Sequence, residues 1–152
     1  MAATVERRSF LAGVLVLGLI RPTIVLAARR QETAREVLQK YFRLINQRRF
    51  YAAFHVWELE TNGRNDLGQN LKQFTAGFAK TRKVVAEIGP EGESDSGAGS
   101  EYLELSVTLT STLRSGKVEM FEGSYMMRRS LNPGGHQDWL IYTAKLTLAD
   151  RD

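Results

Sequence analysis

EYLELSVTLTSTL, Glu101–Leu113, alternates along its length. Leu103, Leu105, Val107, Leu109 and Leu113 share one parity; Tyr102, Glu104, Ser106, Thr108, Thr110 and Thr112 share the other. A period of two marks a strand with one buried and one wet face. At thirteen residues it outruns the ordinary strand of about five to six. A strand that long must twist and coil, and its leucine face needs a cover.

The chain on either side supplies partners for it. RSGK, residues 114–117, is a tight turn at Ser115-Gly116, and a third strand runs from Val118 to about Arg129. LNPGGHQ makes a loop, and DWLIYTAKLTLA is the last strand, with Leu140, Tyr142, Ala144, Leu146 and Leu148 on one face. Gly123 within FEGSY is expected to bulge, which would bring Val118 and Met120 onto one face with Tyr125 and Met127. Upstream, KVVAEIG reads as the first strand and PEGESDSGAGS as a hairpin loop. The glycine spacing in that loop is no dinucleotide fingerprint, because no helix follows.

Before the strands the period is helical. Thr33-x-x-Glu36 fits a capping box, followed by Ala34, Val37, Leu38, Tyr41 and Ile45 at helical spacing. NQRR breaks that helix. Phe50, Ala53, Phe54 and Trp57 then form one face of a second. His55 falls roughly 150° from that stripe, beside Tyr51 and Glu58, so a solvated histidine bonded to Glu58 is expected rather than a general base. Asp66-x-x-Gln69 predicts the cap of a third helix carrying Leu67, Leu71, Phe74 and Phe78. The fold class is α+β: three N-terminal helices packed on a curved four-stranded antiparallel sheet.

Composition excludes several chemistries. The 152 residues contain no cysteine and two histidines, so disulfides, thiol catalysis and spaced metal-ligand motifs are ruled out. The net charge of +4 is divided between the first 28 residues and the rest, with no broad basic stripe, which argues against nucleic acid. MAATVERRSFLAGVLVLGLIRPTIVLAARR begins with a charged region, an apolar run Phe10–Ile20 and a small-residue site ending at Ala27. That is the layout of a secretory signal. The run is too short to span a bilayer, so no stable membrane span is expected after cleavage. Arg7, Arg8, Phe10 and Leu11 resemble the twin-arginine export signal, with Glu6 and Ala12 departing from it; general secretion is the alternative. The expected organisation is a signal peptide over 1–28 and one domain over 29–152, periplasmic or secreted.

YFRLINQRRFYAAFHVW, FTAGFAKT, GSEYLELSVTL, FEGSYMMRR and DWLIYTAKL together resemble the nuclear transport factor 2-like superfamily, over about residues 33–148. Its cone-shaped α+β fold also hosts steroid isomerases and small dehydratases. The resemblance implies a pocket between helices and concave sheet, approached by Tyr41, Phe54, Trp57, Phe74, Phe78, Leu105, Val107, Tyr125 and Tyr142. It also implies homodimers formed sheet to sheet; strand parity puts Tyr102, Thr108, Trp139 and Ile141 on the outer face. Two functions are open, the first motivated by an apolar inward face without a paired acid and base. One is a non-catalytic binding or accessory domain for a hydrophobic small molecule, with no cofactor or metal. The other is an isomerase or dehydratase with Glu119 or Glu122 as base and Tyr125 or Tyr142 as hydrogen-bond donor.

Overall fold

The computed structural model describes residues 30–149. The expected signal segment and its export residues lie outside them. Three helices, α1 (Ala34–Asn46), α2 (Phe50–Phe54) and α3 (Leu71–Gly77), precede four strands, β1 (Thr81–Gly97), β2 (Ser100–Leu113), β3 (Val118–Ser130) and β4 (Leu140–Leu148). The strands form one antiparallel sheet in the order β1-β2-β3-β4, and the helices cover one face. No helix among the described residues is long and apolar enough to cross a membrane.

The capping box opens α1 as the sequence predicts: Thr33 accepts from the Glu36 amide and the Glu36 carboxylate accepts from the Thr33 amide. Its apolar face, Val37, Leu38, Tyr41 and Ile45, is buried. The leucine face of β2 is buried too, at Leu103, Leu105, Val107 and Leu109.

Four expectations are corrected. The second helix stops at Phe54, and Trp57 instead pairs parallel to Ile141: the Glu58 amide donates to the Ile141 carbonyl and the Ile141 amide to the Val56 carbonyl. The third helix begins one turn late. Asn65 is buried and its side chain accepts from the Gln69 amide, which commits Gln69 to a loop, so the cap is Asn70 with Gln73. Leu67 is left exposed.

Residues 90–97 are strand, not loop. Register shifts between Ile88 and Ser94 absorb Pro90, which an edge strand tolerates. The turn is only Ala98-Gly99, both left-handed at φ 50° and 76°, as a two-residue hairpin requires.

The fourth correction moves the bulge. β2 and β3 stay in register from Ser100–Ser130 to Thr112–Val118, so Gly123 breaks nothing. Val118 and Met120 face away from Tyr125 and Met127. Gly123 is required for a different reason: a Cβ there would lie 1.9 Å from the Lys145 carbonyl oxygen. The extra residue sits in β4, where Met126 pairs with Thr143 but Met127 with Ile141. Ile141 therefore turns into the core and Tyr142 out of it, reversing the parity expected at the start of this strand.

The free edge of β1 is closed by side chains from the helical layer. Asn46 donates to the Val84 carbonyl and accepts from the Val84 amide, both at 2.8 Å, as a neighbouring strand would. Arg35 donates to the carbonyls of Ile88 and Gly89, and Arg48 to those of Phe78 and Thr81. Such caps prevent edge-to-edge pairing. Asn46→Ala leaves two backbone groups without their partner and is expected to cost about 1–3 kcal/mol. Urea unfolding measures this; an unchanged midpoint would show that Asn46 closes nothing.

Candidate functional site

The concave sheet face and the helices enclose two zones with different contents. The apex is filled. Tyr41 from α1, Trp57 after α2, Phe74 from α3 and Tyr125 from β3 converge there, all under 5 % exposed. Tyr41 lies 6.3 Å from Trp57, 6.3 Å from Phe74 and 6.1 Å from Tyr125, ring centre to ring centre. Phe54, Leu105 and Val107 complete this packing.

Two phenols at the apex are polar groups in an apolar setting, and each affects how tightly the other holds its proton. Burial pushes Tyr41 far above its ordinary value, with the neighbouring Trp57 and Tyr125 opposing. Burial also raises Tyr125, reinforced by the neighbouring Tyr41. The indole N–H of Trp57 faces this pair without completing a hydrogen bond of ordinary geometry. A buried N–H in that state costs about 1–3 kcal/mol.

The other zone is open. A cavity of about 550 Å3 lies between α1, the end of α3 and the sheet. Phe42, Val84, Leu109, Phe121 and Leu146 form its apolar walls, with Phe78 and Leu113 beside them and Tyr125 adjoining the apex. Its polar lining is Thr81 and Ser111, which are buried, Lys80, which is exposed, and Glu119. Cavities of this size and character are typical of small-molecule sites.

Of the residues expected to approach a pocket, Phe78 and Tyr125 line the cavity. Tyr41, Phe54, Trp57, Phe74, Leu105 and Val107 fill the apex instead, and Tyr142 is outside on the opposite sheet face. Phe42, Val84, Leu109, Leu113, Phe121 and Leu146 also line it, beyond the expected set. Leu109 and Leu113 continue the Leu105 parity, so the signal for them was in the alternation itself. Phe121 was hidden by the expected bulge at Gly123.

The acid and tyrosine candidates separate in the same way. Glu119 pairs with Ser111 across the strands on the inward face, and its carboxylate meets the Lys117 ammonium at 2.9 Å rather than a phenol. Glu122 is exposed on the outer face, opposite Thr108.

On that outer face the Arg128 guanidinium lies between the rings of Tyr102 and Tyr142, at 5.6 and 5.7 Å. It also donates to Ser100 and pairs with Glu58. Glu58 thus belongs to Arg128 and not to His55, whose Nδ1 contacts the Tyr51 carbonyl at 2.8 Å. Trp139 and Ile141, expected as outer anchors, are buried. Arg129 covers the Trp139 ring at 4.8 Å, and Ile141 faces the core for the reason given by the β4 bulge. A separate polar cleft of about 430 Å3 brings His55 and His136 together with Lys40 and Asp138. No group of three metal-binding side chains exists among the described residues.

This architecture defines the class of protein. Two solved structures share it. One is a candidate aromatic ring hydroxylase from Novosphingobium aromaticivorans, 10% identical over 77% of this chain and 87% of that one, with a TM-score of 0.54. The other is a nuclear transport factor 2-like superfamily protein from Salmonella enterica serovar Typhimurium, 13% identical over 76% and 88%, with a TM-score of 0.52. The chain has the nuclear transport factor 2-like fold. No family model and no curated protein matches its sequence.

The apex has a measurable signature. Both raised phenols bind their protons more tightly folded than unfolded, so their contribution to stability is complete below the ordinary value of 10.0 and is lost as pH climbs beyond it. Tyr41→Phe with Tyr125→Phe is expected to flatten the alkaline fall in stability. Denaturation midpoints measured above pH 10 check this; an equal slope in both proteins would contradict the assignment.

Proposed function

We propose that this is an exported, non-catalytic binding domain that holds a hydrophobic small molecule in its cone and pairs with a second copy through the outer sheet face. The observation that carries the reading is the 550 Å3 cavity with its apolar walls, set above an apex already filled by side chains. An occupant there would remove its own apolar surface and that of the walls from water, worth roughly 25 cal/mol per Å2 before the cost of association.

The isomerase or dehydratase alternative is less favoured. It needs an acid and a donor converging on one atom. Glu119 and Tyr125 line one cavity, but they stand six residues apart on β3, about 20 Å along the strand, so they do not converge on one atom. Glu122 and Tyr142 lie outside it.

Pairing is supported by the apolar residues of the outer face. Met120 and Met126 are half-buried there, beside exposed Val85 and Tyr142. Large apolar side chains on an open sheet commonly mark an interface. Export is supported by the charged and apolar order of residues 1–28.

Native mass spectrometry of protein from the periplasmic fraction of its own cell tests all three parts. It is expected to show a chain lacking about the first 28 residues, a dimer, and a small added mass released on unfolding. Leu109→Trp fills the cavity and should weaken uptake of a neutral fluorescent hydrophobe at least about tenfold. An intact N-terminus in the cytoplasm overturns export, and a monomer at micromolar concentration overturns pairing. Unchanged uptake by the Leu109→Trp protein overturns the cavity as the site.

A further inference from the structure

The cavity has a charge pattern as well as an apolar wall, and it selects among hydrophobic ligands. Four aromatic rings border it: Phe42, Phe78, Phe121 and Tyr125. Aromatic faces carry negative charge density and attract cations, most strongly organic cations that shed water cheaply. The sheltered charge in the wall has the same sign. Glu119 faces inward, and its side chain is only 24% exposed. The other charged lining residue, Lys80, is exposed to solvent.

Glu119 already holds a cation. The Lys117 ammonium sits 2.9 Å away on a side chain that is itself 67% exposed. A contact whose basic partner is that exposed is weak and easily exchanged. An anion entering the cavity would meet an aromatic lining and a carboxylate, and the carboxylate would repel it.

We propose that the cavity takes an organic ammonium, a hydrophobic molecule ending in a quaternary or alkylated amine. Its cation replaces Lys117 beside Glu119 while its apolar body lies among the aromatic rings. This rests on the cone being the binding site; it adds the class of ligand. Lys117 then acts as an internal competitor, occupying the carboxylate when the cavity is empty.

Calorimetric titration with three matched probes tests it: phenylpropyl-trimethylammonium, the neutral analogue with carbon in place of nitrogen, and the analogue ending in a carboxylate. The ammonium is expected to bind about tenfold tighter than the neutral probe, and the carboxylate weakest. Glu119→Gln should remove that preference while the neutral probe binds as before, which also shows the variant is folded. Lys117→Met should raise ammonium affinity severalfold, because it removes both the competing cation and its repulsion. Equal binding of ammonium and neutral probe, or a preference for the carboxylate, overturns the ammonium assignment and leaves the cavity standing. Lys117→Met without any gain overturns it as well. No binding of any probe overturns both.

Discussion

Between the Met126–Thr143 and Met127–Ile141 pairs, β4 carries one residue more than its neighbour, and much of the molecule follows from that surplus. Ile141 turns inward and its backbone pairs with the segment around Trp57, which ties the helical layer to the far edge of the sheet. Trp57 thereby reaches Tyr41 and Tyr125 and closes the apex. Tyr142 turns outward, where it meets Tyr102 and Arg128. Past the bulge the remaining inward residues of β4, Ala144, Leu146 and Leu148, run toward the open end of the cone.

The two sheet edges are managed differently. Along β1, polar side chains of α1 and the residues after it take the place of a missing strand, with Asn46 satisfying both backbone groups of Val84. At β4 only the first residues are covered, by the pairing with Trp57. The mouth of the cone opens where helical cover runs out, because α2 and α3 have five and seven residues. Helices that short close an apex and leave the wider end uncovered. The cavity is thus a consequence of layer geometry, and its negative charge comes from Glu119, the one carboxylate in its lining.

Much of the architecture was legible in the sequence because strict periodicity leaves little freedom. The alternation of Glu101–Leu113 and the Thr33–Glu36 box fixed their elements to within a residue or so. What failed were readings that depend on partners distant in sequence. Pro90 and the acidic residues after it look like a loop, yet pairing with β2 carries them as strand. A glycine suggested a bulge in β3, but the Lys145 carbonyl decides the need for Gly123, and register against β3 places the bulge at Tyr142. The site suffered from the same shift. One residue of slip exchanges faces, so Tyr142 left the pocket while Trp139 and Ile141 left the surface. Glu119 and Phe121 lie inside because β3 is unbroken.

The central claim is that the space above the aromatic apex is where this molecule binds. Methyl-resolved nuclear magnetic resonance during addition of a neutral hydrophobe tests that directly. Resonances of Leu109, Leu113 and Leu146 are expected to move, with Met120 and Met126 on the outer face left in place. Shifts confined to the two methionines, or to Val56 and Leu140 beside the histidine cleft, would contradict it.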